Sequence, residues 1–176
     1  MSTHTFSHFT PTSSTGAKHN AGVIGMGFIG EVHIRAIRAS GNNVHAVSAV
    51  TIDEAQLAAE RGNIPNAMTT ADLMADPNIN VVHICTPNVF HAELAEMAIR
   101  NGKHVICEKP LAISESDALH LTNLAREAGV VATVPFIYRF YPSIREARAQ
   151  IQSSGVSPKL IHGYYLQDWL ASVGTD

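Results

Sequence analysis

The chain has 176 residues, of which 45% are hydrophobic and 15% charged, a composition that predicts one folded domain with a short additional piece. The net charge of −3 excludes the excess of Lys and Arg that nucleic-acid binding requires, so we expect no nucleic-acid partner. Two cysteines are too few for a disulfide framework and no apolar run is long enough to span a membrane, so we expect a cytoplasmic protein without membrane contact.

Residues 1–20 are polar and rich in Ser, Thr and His, and they contain no apolar stretch of the kind found in signal peptides. We predict a disordered leader over this segment. His4 and His8 have the spacing of a metal pair, but no cysteine or acidic residue lies nearby in the sequence. A solvated tail is therefore the preferred interpretation, and no metal site is predicted.

From residue 21 onward, short apolar runs alternate with amphipathic stretches. The runs predict buried strands over 21–25, 44–50, 81–85, 104–107 and 130–134. The stretches between them predict helices that end at Gly41, Gly62, Gly102 and Gly129. Strands that alternate with helices predict the α/β class with a doubly wound parallel sheet of the Rossmann type.

Three of the predicted helices carry further local signals. Phe28, Val32 and Ala36 are spaced to share one apolar face of the first helix. Thr51 and Ser114 are each followed three residues later by an acid, which predicts capped helix starts at these positions.

The pattern changes after Pro142. A helix is predicted over 142–152, followed by a linker rich in Ser, Gly and Pro and a long strand over 159–170. We interpret this strand as the first of an incomplete second α+β domain, so the predicted divisions are 1–20, 21–152 and 153–176. An exposed strand edge invites pairing with another copy, which predicts a homo-oligomer formed through this C-terminal sheet.

The segment GMGFIG follows the first predicted strand and opens the first predicted helix. In this context the GxGxxG spacing predicts a turn that binds the pyrophosphate of a dinucleotide, whereas a glycine-rich turn without a ligand is the alternative. The predicted cofactor-binding residues of this turn are Gly25, Met26, Gly27, Phe28, Ile29 and Gly30.

NAD-binding sites usually have an acid at the end of the second strand, about 20 residues after the glycines. Val50 and Thr51 stand there, and neither is acidic. Asp53 is the nearest acid and is better explained by the dipole of the next helix. We predict that Thr51 contacts the cofactor, which is NAD or NADP. The sequence slightly favours NADP, because no carboxylate at this point would repel a 2′-phosphate. No Arg stands at this point to bind one.

Three later motifs narrow the family. They are TPN over 86–88 with His91 following, EKP over 108–110, and YRFYP over 138–142. Together with the glycine motif, in this order, they resemble the glucose-fructose oxidoreductase / inositol dehydrogenase / rhizopine-catabolism family over about residues 21–170. The combination is far more specific than any single motif.

The resemblance implies roles for residues at strand ends. Thr86, Pro87 and Asn88 would run along the ribose and phosphates of the cofactor, and Glu108 and Lys109 would lie near the nicotinamide. Family members often have a cis bond before the proline that here is Pro110.

Lys109 is the predicted catalytic residue, because an ammonium group can hydrogen-bond a substrate hydroxyl and stabilise negative charge that develops on its oxygen. The alternative is an exposed lysine that caps a strand end. For Glu108, a cofactor contact and a salt bridge to Lys109 or Arg139 are both open. Arg139 is predicted to hold cofactor or substrate, or to pair locally. His91 is counted among the predicted cofactor-binding residues, and a side chain that ties down its loop or packs is preferred over a catalytic base.

The implied activity is exchange of a hydride between NAD(P) and a hydroxyl-bearing carbon of a sugar, polyol or cyclitol. The family's later motif with Asp and His has no match here, so we expect this chain alone to bind the dinucleotide with little turnover. A non-catalytic dinucleotide-sensing or protein-binding module is the alternative function. Another Rossmann reductase, of the biliverdin or dihydrodipicolinate type, is a third.

Two further groups of residues have plain structural interpretations. Cys85 and Cys107 are predicted to be small buried apolar side chains. Aromatic and polar residues of the predicted last strand either border the active-site cleft or pack in a sheet, and they are Tyr164, Tyr165, Gln167, Asp168 and Trp169.

Overall fold

A computed structural model describes residues 18–157 and 159–166. The described residues form two compact units, divided between Pro135 and Phe136. His4 and His8 lie outside the described residues. The first strand begins at Asn20, inside the predicted leader. The domain limits predicted from the sequence remain predictions.

The first unit is built on one sheet of six parallel strands in the order β3-β2-β1-β4-β5-β6. Reversal of strand order beside the first strand is the doubly wound arrangement that the sequence predicts. The strands are β1 (Asn20–Ile24), β2 (Asn43–Ser48), β3 (Asn66–Ala67), β4 (Val81–Ile84), β5 (His104–Cys107) and β6 (Ala132–Thr133).

Helices cover the two faces of this sheet. One core cluster contains side chains of the first two helices and the other contains side chains of the next three, so each face has its own core. The helices are α1 (Phe28–Ala39), α2 (Ile52–Gly62), α3 (Thr70–Ala75), α4 (His91–Arg100) and α5 (Glu115–Ala128). The central strands β1, β2 and β4 are mostly buried from both sides, which explains their almost continuous apolar sequences, whereas both residues of the edge strand β6 are exposed.

Two elements were missed by the sequence reasoning. β3 has two residues and α3 has six, and neither is long enough to show a hydrophobic period. The end of α2 also differs, because Gly62 is its last residue and Asn63 adopts the left-handed conformation after it, with φ of 47°. Asparagine is the residue that most often replaces glycine in that conformation.

The apolar face predicted for α1 is not the buried one. Phe28 is 80% exposed, and Val32 and Ala36 are also exposed. The buried residues of this helix are Gly30, His33, Ile34 and Ile37. The helix has two apolar faces with the same spacing. The face that contains Gly30 is buried, because Gly30 has no side chain and therefore permits close contact between the helix and the strand.

The second unit contains a short 3-10 turn and one helix, α6 (Pro142–Ser154), which ends at Gly155 with φ of 64°. The strand predicted over 159–170 is wrong for the described residues 159–166, which form no strand. A strand requires a partner for its backbone groups, and the sheet described above contains no strand from this segment. Tyr164 and Tyr165 are exposed, whereas Gln167, Asp168 and Trp169 lie outside the described residues.

No helix within residues 18–157 is both long and apolar enough to cross a membrane. In the described part of the chain, no three His, Cys, Asp or Glu side chains are grouped as metal ligands would be.

Candidate dinucleotide-binding site

The carboxyl ends of β1, β2, β4 and β5 meet at one edge of the sheet, and backbone hydrogen bonds continue past the strand ends. The amide of Gly25 donates to the Ser48 carbonyl at 3.0 Å, and that of Cys85 donates to Ile24 at 2.8 Å. The Glu108 amide donates to the Ile84 carbonyl at 2.9 Å. The loops that carry the predicted site residues therefore leave the sheet in fixed register, at the edge where ligands of open parallel sheets bind.

The outer two glycines of the GxGxxG turn are required by the protein itself. Gly25 has φ of 92°, and a Cβ added there would lie 2.6 Å from the carbonyl oxygen of Cys85. A Cβ on Gly30 would overlap the carbonyl oxygen of Gly25. Neither position accepts a side chain, so these glycines fix a sharp turn from β1 into α1.

The middle glycine is different. A Cβ on Gly27 would meet no atom of the protein within 4 Å. Gly27 is the N-cap of α1 and offers no side-chain cap to the helix, whose first amides have no intrahelical acceptor. Of its neighbours, Met26 packs against the core, whereas Phe28 is exposed and Ile29 is close to the surface. The folded chain does not need a glycine at 27, but a ligand that approaches these amides does.

Thr86 has an unpartnered hydroxyl in the loop that packs against this turn. Its Oγ1 is buried and has no hydrogen-bond partner among the described residues. The Thr86 amide nitrogen lies 2.9 Å from the Cβ that Gly25 lacks, so the backbone of Thr86 packs closely against the glycine turn. Pro87 and Asn88 are exposed beside it, and Asn88 starts a 3-10 turn that leads into α4. A buried hydroxyl that the protein leaves without a partner is costly, so a polar ligand at this edge would explain it.

His91 is fully buried and joins two loops of the site. Its Nδ1 lies 2.6 Å from the carbonyl oxygen of Pro110, and its Nε2 lies 2.9 Å from that of Thr86. Both ring nitrogens are engaged with the backbone, so His91 offers no ring atom to a ligand. The side chain ties the loop after β4 to the loop after β5, in agreement with the preferred interpretation of the sequence. The predicted contact of His91 with the cofactor is corrected, because neither ring nitrogen is left for a ligand.

Glu108 and Lys109 follow β5 directly. The Glu108 side chain is 15% exposed, and its Oε2 accepts a hydrogen bond from the Lys109 backbone amide at 3.1 Å. The ion-pair partner of Glu108 is His33, at 3.1 Å, and not the ammonium group of Lys109. Lys109 is exposed at the edge of the sheet, and the peptide bond to Pro110 is cis, as the resemblance implies.

Comparison with known families shows to which family this part of the chain belongs. A family model described as an oxidoreductase family with an NAD-binding Rossmann fold, Gfo/Idh/MocA, matches residues 19–136. The chain belongs to this family. The matched segment contains the whole sheet, the glycine turn, Thr86, His91 and Lys109.

Relatives in this family include dehydrogenases that are named for sugars. Levoglucosan dehydrogenase of Pseudarthrobacter phenanthrenivorans is 35% identical over 163 residues, covering 86% of this chain and 42% of the relative. D-xylose 1-dehydrogenase (NADP(+)) 2 of Haloferax volcanii is 33% identical, covering 76% of this chain and 41% of the relative. A solved complex of levoglucosan dehydrogenase with NADH and levoglucosan aligns with a TM-score of 0.74 at 32% identity, covering 78% and 40% of the two chains. The chain thus spans less than half the length of these relatives.

At the end of β2, this family member has no carboxylate until α2 has begun. Val50 is 95% exposed, and Thr51 is the N-cap of α2. The Thr51 hydroxyl accepts from the Glu54 amide at 3.2 Å, and the Glu54 carboxylate accepts from the Thr51 amide at 3.4 Å, which confirms the predicted capping box. Asp53 lies in the first turn of α2, where its charge complements the helix dipole, as predicted.

Both cysteines lie at this edge and are unreactive. Burial, together with the nearby Glu108 carboxylate, raises the pKa of Cys85 and of Cys107 to about 12. Neither forms a disulfide, and both have the apolar role predicted from the sequence. Arg139 lies in the second unit, in the 3-10 turn Ile137–Phe140, and its predicted contact with cofactor or substrate stays a prediction.

Three buried polar residues were missed. His33 Nδ1 lies 2.9 Å from His83 Nδ1, and burial, with the charge of His33, lowers the pKa of His83 to about 4. Lys103 Nζ donates to the carbonyls of Asp76 at 2.6 Å and Ile79 at 2.9 Å, which closes the turn before β4. The position of His83 within the apolar run VVHI was the signal that would have placed it inside, whereas the spacing of α1 fits both an exposed and a buried stripe and leaves His33 undecided.

Proposed function

We propose that the carboxyl edge of this sheet binds NAD(P) for an oxidoreductase that acts on a hydroxyl-bearing carbon. The observation that carries the proposal is Gly27, whose side chain could be present without meeting any protein atom, together with the unpartnered buried hydroxyl of Thr86 in the adjacent loop. A phosphate-bearing ligand at the glycine turn would account for the glycine at 27.

In this proposal the residues of the glycine turn donate their amides to the diphosphate at the start of α1. Thr86, Pro87 and Asn88 line the path toward the nicotinamide, and His91 holds that loop without touching the ligand. The bound dinucleotide supplies the hydride chemistry. Thr51 and Arg139 are further proposed contacts.

Lys109 is the proposed catalytic residue. Its ammonium group is on an exposed loop at the same edge, directly after the strand that places Glu108. From there Nζ would hydrogen-bond the substrate hydroxyl and hold or release its proton as the carbon is oxidised or reduced. Glu108, fixed by two N–H donors, would set the position of the loop.

For the cofactor, we propose a preference for NADPH over NADH. The preference is supported by the end of β2, where exposed Val50 and the N-cap Thr51 present no negative charge to a 2′-phosphate. The family contains relatives of both kinds, since one is named for NADP(+) and another was solved with NADH.

The activity of the whole protein is likewise a proposal. We propose a sugar, polyol or cyclitol as substrate, in line with the relatives' names. We expect residues 1–176 on their own to bind the dinucleotide, and turnover to need the additional length that these relatives have. A cytoplasmic location and a homo-oligomer formed through the segment after 152 remain predictions.

Titration of the purified chain with NADH and NADPH, followed by nucleotide fluorescence, tests the proposal. Gly27→Ala is the decisive variant, because its methyl group meets no protein atom but fills the space of the diphosphate, so binding should fall at least about tenfold at an unchanged melting temperature. Gly163→Ala, another position with open space around its Cβ, is the matched control and should bind like the natural chain. Binding of neither nucleotide, or equal binding by Gly27→Ala, would contradict the proposal.

A further inference from the structure

Three buried side chains form a hydrogen-bonded line from the middle of the sheet to the site. His83 of β4 and His33 of α1 are 7% and 8% exposed, and their Nδ1 atoms are 2.9 Å apart. The other nitrogen of His33, Nε2, lies 3.1 Å from Oε1 of Glu108. The line thus joins the helix that starts at the glycine turn to the strand end that carries Lys109.

The positions of the protons follow from the chemistry of the partners. An ionised carboxylate only accepts hydrogen bonds, so Nε2 of His33 carries a hydrogen and donates it to Glu108. One proton lies between the two Nδ1 atoms, because two N–H groups facing each other at 2.9 Å would repel. Whichever histidine holds that proton, the bond from Nε2 to Glu108 is preserved.

The other titratable groups around Glu108 do not compete for this bond. The Cys85 and Cys107 thiols stay neutral, since burial and the carboxylate raise the pKa of both to about 12. The second carboxylate oxygen accepts from the Lys109 backbone amide. Each oxygen of Glu108 therefore has its own N–H donor, one from α1 and one from the loop after β5.

We propose that His33 is a positioning residue of the dinucleotide site, which fixes Glu108 and thereby the loop of Lys109 to the helix of the glycine turn. The inference rests on the proposed function, because it assigns the two ends of one cofactor to these two elements. His83 supports it by occupying the Nδ1 of His33, so that Nε2 is the atom left to face Glu108.

Two amide substitutions separate the nitrogens of His33. In His33→Gln the side-chain amide nitrogen can stand where Nε2 stands and still donate to Glu108. In His33→Asn the shorter amide stands at the Nδ1 position, and the bond to Glu108 is lost. We expect His33→Asn to raise the Kd for NADPH about tenfold, the scale of one hydrogen bond to a charged group, and His33→Gln to restore binding to within about twofold.

The test is completed by adding His33→Asn to a Glu108→Ala variant. In that variant the hydrogen bond to Glu108 is already absent, so the added substitution should change the Kd for NADPH little. If the natural chain binds NADPH and the Asn and Gln variants bind equally, the positioning role is overturned while the proposed function stands. If the natural chain binds neither NADH nor NADPH, the proposed function is overturned and this inference with it.

A measurement without cofactor tests the geometry directly. Nitrogen-15 NMR of the free chain at neutral pH should show a protonated Nε2 on His33, with its hydrogen coupled to that nitrogen. An unprotonated Nε2 on His33 would overturn the inference whatever the chain binds.

Discussion

The glycine turn (residues 25–30) and the group formed by Glu108, His33 and His83 lie at the same edge of one sheet. They differ in how many of their polar atoms have hydrogen-bond partners within the protein. Thr86 has a buried hydroxyl without a partner among the described residues, and Gly27 faces open space. Around Glu108, both carboxylate oxygens and the Nδ1 and Nε2 atoms of His33 have partners. The comparison teaches that the protein leaves space and an unpartnered hydroxyl at the glycine turn, whereas it satisfies every hydrogen-bonding atom of Glu108 and His33 itself.

The largest effect should come from a glycine that the fold itself requires. In Gly30→Ala the added methyl group would overlap the carbonyl of Gly25, so α1 would have to move away from β1. We expect the free energy of unfolding to fall by about 3 kcal/mol or more, measured by urea denaturation. Gly27→Ala is the internal comparison and should lose less than about 0.5 kcal/mol, since no protein atom is displaced. Equal losses in the two variants would remove the distinction between them.

The second effect is the pH dependence of stability at His83. Its pKa is lowered from 6.5 to about 4 by burial and by His33, so the folded protein disfavours its protonated form. The corresponding stability is present in full above pH 6.5 and is lost as the pH falls toward 4, by up to about 3 kcal/mol.

Urea denaturation at several pH values checks this expectation, with His83→Leu as the comparison. The variant should be less dependent on pH between 6.5 and 4 than the natural chain. Parallel pH profiles of the two proteins would show that His83 titrates normally and that the pair with His33 is not formed.

These outcomes also indicate what the sequence can predict. The glycine turn was predicted because its constraints are local: a strand end, three spaced glycines and a helix start lie within a few residues. The alternation of strands and helices predicted the sheet for the same reason. The catalytic role predicted for Lys109 depends on the resemblance, since nothing local distinguishes it from other exposed lysines, and that role stays a prediction.

The features that the sequence did not predict involve residues far apart in the chain, or two alternatives with the same sequence pattern. His33 and His83 are 50 positions apart, and only the packing of α1 on β4 brings them together. The exposed stripe that begins at Phe28 has the same helical spacing as the buried one, so spacing alone could not choose between them. The strand predicted over 159–170 failed for its described part because alternation of side chains does not supply a partner strand.

The smallest expected effect concerns the preference between NADPH and NADH at the end of β2, where the edge of the sheet carries no charge. Val50→Asp would place a carboxylate at a 95% exposed position near the proposed adenosine ribose. We expect the ratio of the Kd for NADPH to that for NADH to rise about tenfold, about 1 kcal/mol of charge repulsion. Val50→Asn, of the same size without the charge, is the control, and an equal change in both variants would exclude an electrostatic cause.

The proposed function depends above all on binding of a dinucleotide at the glycine turn and beside Thr86. Two-dimensional NMR of the nitrogen-15-labelled chain, with and without NADPH, tests this claim residue by residue. We predict that the amide signals of Gly27, Phe28 and Thr86 shift strongly, while those of Asn43 and His104, at the opposite edge of the sheet, stay in place. Unchanged signals at the glycine turn, or the largest shifts at that opposite edge, would contradict it.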